Sequence, residues 1–385
     1  LPGTGGLTRV TDKRKVRRDL ADAFCTIEEG VKGRRAVEWR LVDEVAPASR
    51  LEAAVEACAR ALANSASRRG EAKGIELKPL QRRIAENSRE YDHLSVEFDR
   101  AARLATITLR GPDAPPPEGP EGMAAQGAAF WPLAAARELD DAILDIRLNE
   151  LETAAIIFKT QGNPEIVLAY DDFLDRHREH WLAREIRLLW KRVLKRIDLT
   201  SRSLVTLVEP GSCFAGTLAE LIFAADRSYM LVGKLDGDNR PPASIVLGGV
   251  NLGDDLAMSN GLSRLATRFL GEPERVQRAR ALIGQALDAE AAEEEGLVTF
   301  ALDDVDWEDE IRVFLEERAS FSPDGLTGLE ANLRFAGPET METKIFARLT
   351  AWQNWIFQRP NAVGPQGALK RYGSGLKPAF DMART

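Results

Sequence analysis

The residues predict an α/β chain assembled from a duplicated module. Two β-branched runs, "HLSVEFD" (93–99) and "RLATITL" (103–109), alternate apolar and polar side chains as two paired strands do. Apolar runs of strand length then interleave with helical stripes. Finally, short sequences recur: Gly-Leu-Thr-Arg-Val at 6–10 and Gly-Leu-Ser-Arg-Leu at 261–265 are 255 positions apart, and Leu41-Val42 and Leu297-Val298 are 256 apart. Two matches in nearly one register indicate that one unit has been used twice.

The copies differ in what precedes them. The second has the strand pair upstream, whereas nothing stands before Leu1 in the first. Modules of equal length would place about 170 further residues ahead of Leu1, and "LPGTGG" (1–6) would then be a turn inside a domain. The expected organisation is residues 1–70 as the C-terminal part of a first, catalytic module and 71–90 as a linker. Residues 91–330 form a second, divergent module, and 331–385 a helical tail.

In the first module, Leu51, Val55, Cys58 and Leu62 step by 4, 3 and 4 and predict a core-facing helical stripe. In the second, the Pro- and Gly-rich stretch 110–132 predicts a surface loop. Residues 133–149 then predict a helix burying Leu139, Ile143, Ile146 and Leu148, and "TAAIIFKT" (153–160) a buried strand. Leu182, Ile186, Leu189, Val193 and Ile197 predict one long helix from about Asp171 to Arg196. His177 and His180 sit on it three apart; with no third ligand placed by a motif, they read as capping or solvent-facing rather than metal-binding.

The stretch "SLVTLVEPGSCFAGTLAELIFAADRSYMLVG" (203–233) predicts strand, turn, helix, strand. A helix starting at such a turn directs its unpaired N–H groups and positive dipole end into the loop, an arrangement that can hold an oxyanion. Glu220 lies one turn in. Near the end, Ile345, Leu349, Trp352 and Ile356 predict one helix whose face is widened by Phe346 and Trp355. That aromatic surface calls for cover by this chain or by a second subunit.

Composition narrows the function. At 44% hydrophobic, 29% charged and a net charge of −8, the 385 residues are ordinary globular composition without the basic face that nucleic acid requires. No apolar run reaches membrane-spanning length. Cys25, Cys58 and Cys213 are too scattered for a disulfide framework or a metal motif, and a reducing, cytoplasmic setting is expected. The run Lys13, Arg14, Lys15, Arg17 and Arg18 offers positive charge either to solvent or to a phosphate-bearing ligand.

Residues 203–233 resemble the crotonase (enoyl-CoA hydratase/isomerase) superfamily, with Glu220 and Asp226 matching its Glu and, six residues on, Asp. Residues 244–271 resemble its pocket loop and Gly-Gly-x-x-Arg-Leu helix start, and "EAAEEEGLV" its Ala-x-x-x-Gly-Leu-Val ending. Residues 1–10 resemble the turn just after the second catalytic glutamate, and 37–63 the segment that follows it. The doubling and the tail "NWIFQRPNAVGPQGALKRYGSG" (354–375) are similar to an unusually long branch with an active N-terminal and a divergent C-terminal module.

The resemblance implies a duplicated ββα spiral with a C-terminal helical extension, acting as a carbon–carbon lyase on a coenzyme A thioester. Another crotonase activity, or a non-catalytic scaffold half, is the alternative. It implies no metal and no cofactor other than the coenzyme A of the substrate, and it implies a homodimer. It places both catalytic glutamates and their N–H cradle upstream of Leu1, so that no catalytic residue is expected here. Expected substrate contacts are Gly3, Gly5, Gly6, Cys25 on the helix that roofs the acyl pocket, and Lys370 and Arg371 where C-terminal helices close over the cofactor. The second module departs from the pattern: Gly216-Thr217-Leu218 replaces three glycines, Ser244 the second Glu, and "VLAYDD" (167–172) the Gly-Ala-Asp loop. Glu220 is therefore expected as a relic that caps or forms a salt bridge.

Overall fold

A computed structural model describes residues 5–66 and 74–384. The chain divides into two compact units, Leu1–Lys73 and Gly74–Thr385.

The first unit carries helices α1 (Arg18–Thr26), α2 (Gly33–Glu38) and α3 (Leu51–Ser65). Among its described residues only Val16, Ala21 and Ala36 are buried. The expected core stripe of α3 is not buried among the described residues: Leu51, Val55, Cys58 and Leu62 are exposed, since residues 5–66 alone offer no second layer for an amphipathic face to pack on.

The second unit holds strands β1 (Arg83–Ile84), β2 (Ser88–Glu90), β3 (Leu94–Asp99), β4 (Leu104–Arg110), β5 (Ala155–Gln161), β6 (Ser203–Val208), β7 (Phe214–Ala215), β8 (Arg227–Leu231), β9 (Ile245–Val246), β10 (Ala286–Leu287) and β11 (Phe300–Leu302). Eight form one sheet in the order β1-β2-β3-β4-β5-β6-β8-β11, and β10-β9-β7 form a small second sheet. The predicted strand pair is β3–β4, antiparallel with Leu94 opposite Leu109. From β4 onward the large sheet is parallel.

Its central strands are covered on both faces, which is why they read as unbroken apolar runs. Ile156 and Phe158 enter a large core with helices α5 (Trp131–Asn149), α7 (Trp181–Asp198) and α8 (Gly216–Ala224). Ala155 and Ile157 face a smaller core closed by α12 (Trp307–Ser320). Other helices are α4 (Pro120–Gln126), α6 (Pro164–Arg176), α9 (Arg264–Arg268), α10 (Pro273–Ala281), α11 (Ala289–Glu294), α13 (Pro323–Leu333) and α14 (Ala368–Arg371). The sequence offset of 255–256 recurs in these elements. Helices α1 and α10 both have nine residues and lie 255 positions apart (18 against 273), while α2 and α11 both have six and lie 256 apart (33 against 289).

Four local expectations are corrected. The stretch 110–132 contains α4 and buries Met123, Phe130 and Trp131, because Pro120 sits in the first helical turn, where proline is tolerated. The predicted long helix is two, α6 and α7, and "VLAYDD" lies within α6 rather than in a loop. His177 and His180 occupy the break: His180 Nδ1 accepts from the Leu182 N–H at 3.3 Å to cap α7, and the His177 ring lies 4.6 Å from that of Phe173. Finally, Leu148 is exposed at the end of α5. In the tail, residues 341–356 are helical, as read, but Lys344–Leu349 winds with π geometry, and Phe346 is left exposed. No helix among the described residues is long and apolar enough to cross a membrane.

Candidate functional site

Residues 203–233 fold as β6, a turn, β7, α8 and β8, the order read from the sequence. The turn is made at Gly211, whose φ of +77° favours glycine. All of α8 is buried. Its N-terminus does not open onto free space, however. The Asp171 carboxylate reaches it from α6: Oδ2 accepts from the Thr217 N–H at 2.7 Å and Oδ1 from the Thr217 hydroxyl at 2.6 Å. This also explains the glycine at 216, because its φ is +45° and a Cβ there would overlap Asp171 Oδ2. A Cβ on Gly248 would meet Leu168 Cδ2 at 3.1 Å and Gly216 Cα at 3.2 Å, so the two glycines let these segments approach closely. Burial pushes the Asp171 carboxyl up to about 7, against the two Thr217 bonds that favour the ionised form.

Glu220 is sealed one turn further along. Its Oε1 accepts from the Asn251 amide and its Oε2 from Arg264 Nη1, each at 2.8 Å. Arg264, 1% exposed, also grips Asp198 with Nε and Nη2 at 3.0 and 2.7 Å. Burial raises the pKa of Glu220, and Arg264 opposes that rise. Two carboxylates around one guanidinium form a buried ionic triad in which each charge is already paired. Asp226 is likewise engaged, with Arg334 at 2.6 Å and the Leu204 N–H at 2.8 Å.

The cavity beside Asp171 and Thr217 measures about 430 Å³. Asp171, Asp172, Asp175, Asp254 and Asp255 line it, and its two arginines, Arg178 and Arg187, both pair with Asp255. A wall of that sign repels a phosphate-bearing ligand.

The other sequence candidates are spread over both units. Gly3 lies outside the described residues. Gly5, at φ +70°, caps a short helix that begins at Gly6. Cys25 on α1 is exposed. Lys370 and Arg371 stand on α14, the former exposed and the latter half-buried. None of these is a partner of Glu220. Ser244 is half-buried just before β9, and Asn251 and Arg264 are what face Glu220. Asp171 was missed in the sequence because it lies 46 positions from Thr217, whereas Arg264 carried a signal as the Arg of the Gly-Leu-Ser-Arg-Leu repeat. No group of three or more His, Cys, Asp or Glu that could hold a metal occurs among the described residues.

This spiral of strands and helices is the enoyl-CoA hydratase fold. An enoyl-CoA hydratase of Geobacillus kaustophilus aligns with a TM-score of 0.54 at 16% identity, over 77% of this chain and 98% of its own. An enoyl-CoA hydratase/isomerase from Marinobacter aquaeolei gives 0.51 at 16% identity, over 74% and 98%. No family model matches the sequence. A curated relative does: benzoyl-CoA-dihydrodiol lyase of Aromatoleum evansii is 50% identical over 385 residues, all of this chain and 68% of the relative. The chain belongs to the benzoyl-CoA-dihydrodiol lyase family.

Proposed function

We propose that this protein is a carbon–carbon lyase that opens the ring of 2,3-dihydro-2,3-dihydroxybenzoyl-CoA with loss of formate, in the aerobic degradation of benzoate. The observation that carries this reading is the 50% identity running through all 385 residues. In the proposed reaction two carboxylates move the protons of the diol, N–H donors hold the thioester oxygen while it takes up electron density from the breaking C–C bond, and one water adds to the carbon that then leaves as formate.

The working carboxylates and their cradle belong, in this proposal, to sequence outside residues 1–385. Two facts support that placement: Glu220 is closed into its triad with Arg264, and the Thr217 N–H is held by Asp171. Gly3, Gly5, Gly6, Cys25, Lys370 and Arg371 stand as proposed contacts to the coenzyme A thioester. No metal or redox group takes part. The protein is proposed to act in the cytoplasm as a homodimer, with the aromatic face of residues 341–356 as the covered surface.

The test is formate release from the dihydrodiol thioester, measured beside hydration of crotonyl-CoA, using a protein of the relative's full length. Formate without hydration is expected. Hydration without formate overturns the lyase reading, and turnover by residues 1–385 alone overturns the placement of the carboxylates.

A further inference from the structure

A second cavity of the larger unit, about 520 Å³, is bounded by the end of α8, by α9, by α12 and by α13. Five arginines line it against two aspartates, Asp198 and Asp226. Three of the arginines are engaged. Arg264 holds Asp198 and Glu220. Arg334 holds Asp226 at 2.6 Å and donates to the carbonyls of Thr200 and Arg202. Arg318 donates to the Ser203 hydroxyl at 2.8 Å and lies 3.6 Å from Glu330.

Arg227 and Arg268 remain. Arg268 Nε donates to the Gly296 carbonyl at 2.7 Å, and the Arg227 guanidinium lies 4.2 Å from the centre of the Phe314 ring. Neither forms an ion pair with a carboxylate among the described residues. Burial pulls the Arg268 guanidinium down to about 10. A half-buried guanidinium without a counter-charge is costly, and its planar fork suits a carboxylate bidentately. Apart from Thr267 the rest of the lining is apolar, with Phe223 and Met258 at the back and Leu329 and Leu333 open to solvent.

We propose that this cavity binds an organic carboxylate with a flat apolar body. The carboxylate lies against Arg227 and Arg268, and the body packs among Phe223, Met258, Leu329 and Leu333. The readout is binding without a thioester, so it is independent of the lyase reading.

The experiment titrates the 385-residue chain with benzoate by calorimetry and by thermal unfolding, with acetate and inorganic phosphate as reference probes. Saturable benzoate binding with a rise in Tm is expected, at least tenfold tighter than for acetate or phosphate. Arg227→Gln and Arg268→Gln should each weaken it tenfold or more. Leu333→Glu, on an exposed position that tolerates substitution, should do the same by placing a carboxylate at the mouth. Absence of saturable binding, binding undiminished in the folded variants, or phosphate binding as tight as benzoate overturns the proposal.

Discussion

Arg9 and Arg264 occupy the same place in the two copies of Gly-Leu-Ser/Thr-Arg, yet Arg9 is exposed and Arg264 is shut inside a triad with Glu220 and Asp198. The ends of α2 and α11 make the same comparison more finely. In both helices two successive N–H groups turn back onto one alanine carbonyl. Leu41 and Val42 donate to Ala36 at 2.9 and 3.4 Å, and Leu297 and Val298 to Ala292 at 2.8 and 3.3 Å. The residue before each pair has positive φ, +60° at Arg40 and +73° at Gly296. Yet Val42 is 41% exposed, while Leu297 and Val298 are 1% and 2% exposed. The local bonds repeat because they close over six residues. Burial does not repeat, because it depends on the layer that lies opposite.

The comparison can be broken most decisively at Arg264. Arg264→Met leaves two buried carboxylates unpaired and should cost about 3–5 kcal/mol, whereas Arg9→Met at the surface should stay within about 0.5 kcal/mol. Urea unfolding of both variants measures this, and equal costs would remove the distinction between the copies. Next comes the filled N-terminus of α8. Gly216→Ala forces a Cβ into Asp171 at positive φ and should cost about 2–4 kcal/mol. Asp171→Gly in the same chain should restore at least about 1 kcal/mol as a double-mutant coupling; a coupling of zero would mean that the carboxylate does not occupy that space.

Titration sharpens the same point. The folded-state value of Asp171, about 7, lies above its ordinary 3.8, so the folded chain binds the proton more tightly than the unfolded one between those limits. Its contribution to stability is therefore largest at low pH and falls as pH rises through that window, by up to about 1.4 kcal/mol per pH unit. Unfolding free energies at pH 5, 6 and 7 should decline relative to Asp171→Asn, and parallel curves would contradict the burial. Smaller still, Arg40→Gly should stabilise the first unit by about 0.5–1 kcal/mol by relieving a side chain at positive φ. Gly296→Arg should be destabilising, since a Cβ there meets Phe269 at 3.0 Å. Smallest is the effect on turnover of Glu220→Gln in a protein of the relative's full length, expected within a few-fold; a loss of about 100-fold would make the second copy catalytic.

Much of the larger unit was legible in the chain itself. The β3–β4 pair, the buried strand β5, helix α5 and the β6-turn-α8-β8 run carry periodicities that local geometry imposes. Errors arose where one residue outweighed a pattern. His180 starts a new helix just ahead of the apolar stripe, inside what reads as one long helix, and Pro120 opens one inside a stretch rich in helix breakers. The candidate site was half legible: Glu220 and Arg264 stood in motifs, whereas nothing local marked Asp171, Asp198 or Asn251 as the groups that would pair with α8 or with those two side chains. Short-range order, the module repeat and the backbone closures at Ala36 and Ala292 were set by the sequence alone, because each depends on bonds spanning a few residues. Which copy of a motif is buried, and whether a helix N-terminus is open or filled by a carboxylate, was decided only by tertiary packing. Desolvation and Coulomb attraction act between groups that distant stretches of chain bring together, and no local pattern records that.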